Sequence, residues 1–126
     1  MKISKITKSF LIIILSTVCL SCKTSDVPSV KNATYQSFNE GTEKGYLVDF
    51  ELTHDKMVPE SVVINRLKHA VQPEEKNGLI YHLRILAESR VVLGFRPIVV
   101  ESPNGILFKG DSTEVFKPVE FILKEN

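Results

Sequence analysis

The sequence predicts an all-β fold, a single antiparallel β-sandwich preceded by an export leader. Three observations predict it. Residues 46–53 and 79–86 alternate apolar and polar side chains with the period of two expected of strands buried on one face. Turn-forming pairs and clusters of Gly, Asn, Pro and Ser punctuate the rest of the chain at short intervals. The segments between them are rich in β-branched residues, as in Val62-Val63-Ile64 and Ile98-Val99-Val100. Short strands separated by turn signals over roughly 100 residues are the pattern of a sandwich.

The chain opens on Lys2, Lys5 and Lys8 with no acidic residue, followed by an apolar run from Phe10 to Leu20. Those eleven residues suit the core of a signal peptide and fall short of the about 20 needed to span a bilayer. The run closes on Leu20-Ser21-Cys22, a small residue directly before a cysteine. This resembles the lipobox of bacterial lipoproteins, in which the cysteine thiol is acylated and the chain is cut in front of it. The resemblance implies that residues 1–21 are a lipoprotein signal peptide and that lipidation falls on Cys22. The match is loose, because leucine stands two places before the cysteine instead of three and Cys19 takes the third place. Cys19 is the poorer candidate, since Val18 before it is branched where the cleavage site favours small side chains.

With Cys22 acylated and Cys19 removed, the exported part keeps no free thiol. Cysteine nucleophiles, thiol redox chemistry and Cys-ligated zinc then fall away. The leader takes three of the 16 basic residues and none of the 15 acidic ones, which leaves residues 22–126 with a formal charge of −2. That balance, with no basic block, gives no reason to expect nucleic acid as a partner.

Residues 22–33 read as the lipidated cysteine and a short polar, Pro-interrupted tether. The sandwich is expected over residues 34–126. Thr34 to Phe38 suits a first short strand, and Gly41 and Gly45 supply turn residues before Tyr46, Val48, Phe50 and Leu52. Residues 59–71 allow two readings. Val62, Val63, Leu67, Ala70 and Val71 recur at near-helical spacing between Pro59 and Pro73, so an α+β alternative with a helix at about 59–71 stands beside the all-β one. The β-branched triplet favours two strands bending at Asn65-Arg66.

Asn77-Gly78 marks a tight turn before Leu79, Tyr81, Leu83 and Ile85. Val91 to Leu93 reads as a continuing strand that stops at Gly94, and Pro97 opens Ile98-Val99-Val100. Asn104-Gly105 lies between that run and Ile106-Leu107-Phe108 as a two-residue hairpin turn would. Gly110-Asp111-Ser112 turns into a closing strand, Val115 to Leu123, which Pro118 confines to a sheet edge. Phe116, Val119 and Phe121 on that edge are the candidate binding residues, since an edge strand with alternating apolar side chains can pair with a partner's strand.

Catalytic and metal sites are expected to be absent, and no cofactor is implied. His54, His69 and His82 are 15 and 13 residues apart, without the tight local spacing of zinc ligands. Glu74-Glu75 suits a solvated loop, and Asp111-Ser112-Thr113-Glu114 suits a turn better than a calcium loop. No Gly-x-Ser-x-Gly elbow accompanies Ser112. Asn32-Ala33-Thr34 fits the glycosylation sequon only formally.

The chain resembles the small, mostly uncharacterised lipoproteins of Bacteroidetes bacteria, in which a lipobox and a short tether lead into one immunoglobulin-like sandwich. The resemblance rests on Ser21-Cys22-Lys23, on Gly45 to Leu52, and on Asn104 to Lys109 with Phe116 to Phe121. It implies an envelope location, with the protein held through acylated Cys22 to the outer or inner membrane and facing the periplasm or the surface. It carries no functional residue. Tryptophan and an intradomain cysteine pair, two landmarks of antibody domains, are missing. The expected function is a non-enzymatic accessory or binding module for an envelope protein or glycan. The rivals are a small metal-dependent or hydrolytic enzyme using His54, His69 or His82 with Asp55 or Asp111, and an immunity or inhibitor lipoprotein.

Overall fold

A computed structural model describes residues 26–125. The leader and Cys22 lie outside the described residues. Among the described residues ten strands form two five-stranded sheets, alongside one 3₁₀ turn. They are β1 (Val30–Asn39), β2 (Glu43–Leu52), β3 (Val58–Ile64), β4 (Leu67–Ala70), β5 (Lys76–Asn77), β6 (Ile80–Ser89), β7 (Ile98–Val99), β8 (Gly105–Lys109), β9 (Glu114–Pro118) and β10 (Ile122–Leu123). One sheet runs β10-β1-β2-β6-β5 and the other β7-β4-β3-β8-β9. All pairs are antiparallel except β1 with β10. In immunoglobulin lettering the sheets are A-B-E-D and G-F-C-C′, with β10 and β7 added at their margins.

The alternation in β2 and β6 does what its period dictates. Val48, Phe50 and Leu52 on β2 and Tyr81, Leu83 and Ile85 on β6 are buried, while Asp49, His82 and Arg84 face outward. Val62, Ile64, Ile106 and Phe108 answer them from the second sheet. Phe50 stacks on Tyr81 with ring centroids 4.8 Å apart and planes 7° from parallel, and Phe121 meets Phe50 edge-on at 6.5 Å. Burial, and then the nearby Asp55, push the Tyr81 phenol above its ordinary pKa, so it stays neutral in the core.

Residues 58–70 are two strands, not a helix. Asn65 and Arg66 both have positive φ, 48° and 70°, which matches the strand twist in a two-residue hairpin turn. Pro59 lies near the start of β3, beside a bulge that shifts the register with β8. Ser61 on the same strand is buried, and its hydroxyl has no hydrogen-bond partner among the described residues. A buried hydroxyl left unpaired costs about 1–3 kcal/mol. Ser61→Ala is therefore expected to raise the unfolding free energy by about 1 kcal/mol; a lower urea midpoint for the variant would contradict this.

Four expectations need correction. Strand β1 starts at Val30, so residues 30–33, expected in the tether, belong to the sheet. Pro28 is fully buried ahead of it, with Val27 packed on the core and the Pro28 carbonyl accepting a 3.0 Å bond from Lys117 Nζ. Asn104-Gly105 is not a hairpin turn, because β7 pairs with β4 while β8 pairs with β3 and β9. Asn104 instead bonds outward on both sides, its side chain accepting from Asn65 N and its carbonyl from Val119 N. A Cβ on Gly105 would collide with the Lys117 carbonyl and the Phe116 ring, so this glycine serves close packing.

The third correction concerns Val91 to Leu93, which form an exposed turn and not a strand. The fourth concerns the closing strand, which divides into β9 and β10 on different sheets.

Candidate functional site

The two ends of the sandwich differ. Thr53 N donates to Ser29 O, so the N-terminal segment and the β2–β3 loop share one end. Arg90 N donates to Thr42 O at the other, where β6 finishes beside the β1–β2 turn. The residues after β6 protrude there.

Of the large apolar side chains left exposed, five fall within nine residues: Val91, Val92, Leu93, Ile98 and Val99. Leu93 is fully exposed. Such clustering of apolar surface marks interaction sites in soluble domains, whereas scattered exposed residues do not. The turn is built. Ser89 Oγ accepts from Val91 N and Val92 N at 3.3 and 3.1 Å and itself donates to Glu43 Oε2. Phe95 N closes the turn onto Val92 O, and Gly94 supplies the positive φ of 73° that the reversal needs.

Glu43 is held in turn by Arg84, whose guanidinium spans Glu43 and Glu40 at 3.1 Å each and lies 4.5 Å over the Phe38 ring. The hydrogen bond that Arg84 donates to Glu43 is the main reason that the Arg84 pKa lies above its ordinary value. The apex therefore stands on a fixed polar base. Behind it, a cleft of about 270 Å³ opens between β4, β6 and the returning segment, with Leu67, Leu86, Phe95 and Ile98 among its lining.

Arg90 and Arg96 flank the apex, both exposed. Among the described residues neither has an ion-pair partner: Glu40 and Glu43 serve Arg84, and Glu101 serves Arg66. Glu88 stands opposite Lys44 on the ladder.

The residues singled out from the sequence fare unevenly. Phe121 is a core residue at 6% exposure, and Val119 packs partly against the core. Phe116 is half-buried on β9, its ring crowding the space over Gly105. These three do not form one apolar edge, because the chain leaves the sheet after Pro118 and turns Phe121 inward. Strand β9 is nonetheless a sheet edge.

The histidines are kept apart. His54 lies in the β2–β3 loop, where its Nδ1 accepts from Lys56 N. His82 faces outward on the first sheet and donates from Nδ1 to Asp49 Oδ1 at 2.7 Å. His69 lies on β4 and donates from Nε2 to Glu75 Oε1 at 2.8 Å. Among the described residues no group of three His, Cys, Asp or Glu side chains could hold a metal ion. Asp111 lies in the β8–β9 turn.

Glu75, expected in a solvated loop, is the best-connected carboxylate. Its side chain is 11% exposed, and besides His69 it accepts from Gln72 N at 2.9 Å and Arg84 N at 3.0 Å. It thereby ties the 3₁₀ turn (Pro73–Glu75) to strands of both sheets. Glu75→Ala is expected to cost about 2–3 kcal/mol, since three hydrogen bonds accepted by a largely buried carboxylate are lost. A change below about 0.5 kcal/mol in urea unfolding would show that solvent replaces them freely.

No protein-family model, curated protein or solved structure matches the chain.

Proposed function

We propose that this chain is a non-enzymatic envelope lipoprotein, held through an acylated Cys22, whose sandwich binds a protein partner. The observation that carries the reading is the apolar apex at Val91-Val92-Leu93, standing out from the domain on a hydrogen-bonded base. Leaving such side chains in water forgoes roughly 1.5–3 kcal/mol each, which a partner's surface would recover. An aliphatic apex suits a protein pocket better than a glycan, which presents hydroxyl groups and favours polar and aromatic contacts.

The anchor and the binding surface are tested separately. Radiolabelled palmitate should enter the full chain expressed in a Gram-negative host, and Cys22→Ser should abolish both label and membrane fractionation. Label that persists in Cys22→Ser would remove the anchor from the proposal. A photocrosslinking residue at Val92 should yield a discrete protein adduct in the source envelope. The same residue at His82, on the outer face of the first sheet, should not. Equal adducts at both positions, or none at Val92, would refute the binding surface.

A further inference from the structure

We infer that the partner of the β6–β7 connection is a protein offering an apolar cleft rimmed by carboxylates, met on the side of the domain away from the lipid. This deepens the reading of residues 90–99 as a binding surface and rests on it. Charge, shape and chain path each bear on the identity of the occupant.

Charge comes first. Two guanidinium groups, Arg90 and Arg96, bracket an uncharged apex and have no carboxylate of their own among the described residues. A cleft that desolvates Val92 and Leu93 brings its rim onto these arginines. A basic rim would meet like charge in a partly desolvated contact, at a cost of several kcal/mol. An acidic rim can form planar, two-pronged pairs with each guanidinium. The match also predicts fast, salt-sensitive association.

Shape separates a protein from a bilayer. The apolar exposure does not stop at the apex but continues to Ile98 and Val99 on β7, an edge strand of the second sheet. Between the two lies the cleft that holds Phe95, which is half-buried and turned back from the apex. A surface with a knob, a cleft and an open strand edge offers a protein complementary contact and backbone pairing. A flat lipid interface fills no cleft, and the interfacial tryptophan or phenylalanine common in membrane-seeking segments is absent from the apex itself.

Chain path places the surface. Val27 and Pro28 are already docked, so only residues 23–26 separate Cys22 from the folded domain, a reach of about 14 Å at full extension. The apex is at the opposite end of ten-residue strands, roughly 30 Å from that point. With the lipid at one end, the apex is offered to proteins arriving through the aqueous phase.

The test uses the full processed chain in phosphatidylcholine nanodiscs. The sequence contains no tryptophan, so Leu93→Trp gives a single indole reporter at the apex. Random peptides displayed on phage are selected against the unsubstituted chain in the same discs. The expected binders join an apolar centre to flanking aspartate or glutamate and shift the indole emission of Leu93→Trp to shorter wavelength. Arg90→Glu with Arg96→Glu should weaken them at least tenfold and flatten their salt dependence. Leu93→Ser should weaken them comparably while leaving the urea midpoint unchanged, because that side chain is fully exposed. Binders without acidic residues, or none that depend on the apex, would overturn the partner's chemistry while leaving any Val92 adduct from the envelope standing. An emission shift caused by replacing phosphatidylcholine with phosphatidylglycerol, without peptide, would assign the apex to anionic lipid instead. A shift that grows with protein concentration alone would assign it to a second copy of the chain.

Discussion

Phe50→Ala is expected to lower the unfolding free energy by roughly 3–5 kcal/mol. Phe50 is 2% exposed on β2, the central strand of the first sheet, with Tyr81 stacked on one side and Phe121 edge-on. Truncation removes the transfer free energy of the ring, opens a cavity that rigid strands close poorly, and ends two aromatic contacts. Each such contact is worth about 0.5–1.5 kcal/mol beyond its buried area. A domain of this size is stable by only about 5–15 kcal/mol, so the variant should melt at least roughly 15 °C lower or fail to fold. Phe50→Leu keeps much of the volume and should cost distinctly less. Urea unfolding followed by circular dichroism distinguishes these cases. A loss below about 1 kcal/mol for the alanine variant would mean that the two sheets do not meet at Phe50.

Gly45→Ala is the second large effect, and it acts through addition of an atom instead of removal. Gly45 faces Leu86 across the β2–β6 ladder, next to a bulge that follows Lys44. A Cβ there would overlap the carbonyl group of Ile85 and crowd the Leu86 Cα. Those atoms are main chain in the strand that pairs with β2, and no rotamer change can relieve them. The ladder would have to open beside the Glu43 that supports the apex, at a cost of about 3 kcal/mol or more. Gly78→Ala is the matched control. Gly78 has a positive φ of 64° but open space around it, so only backbone strain of about 1–2 kcal/mol is expected. Equal destabilisation by the two substitutions would refute the collision.

These cases indicate which parts of the fold could be read in advance. Strands β2 and β6 were legible because each is buried on one face and exposed on the other, so a period of two is written into their residues. The hairpin at Asn65-Arg66 was legible from the β-branched triplet before it. The start of β1 was not. Lys31 and Asn32 are polar, and a bulge with Asn32 at φ 53° breaks the alternation that would have marked a strand. Asn104-Gly105 misled for a different reason. The pair that suits a tight turn also suits a side-chain cap followed by a close approach of backbone, and only the sheet order decides between them.

The apex was missed through the same ambiguity of composition. Val91-Val92-Leu93 has the chemistry of a buried strand, and local sequence does not show that the chain must cross between sheets at that point. A signal was present in Ser89, which can cap a turn, and in the arginines on either side of the triplet with Gly94 between them. The separation of the histidines was not legible, since the fold alone decides whether residues 13 and 15 positions apart converge. Nor was the integration of Glu75, because its partners come from β4 and β6.

The opposed placement of the docked N-terminal segment and the protruding apex has a mechanical consequence. If the proposed anchor and partner hold these two ends, a pull between them runs lengthwise along β1, β2 and β6. The rungs joining those strands lie across the pull and would be loaded together in shear, not peeled one after another. The domain would then act as a stiff strut, passing tension between membrane and partner while its sheets stay closed.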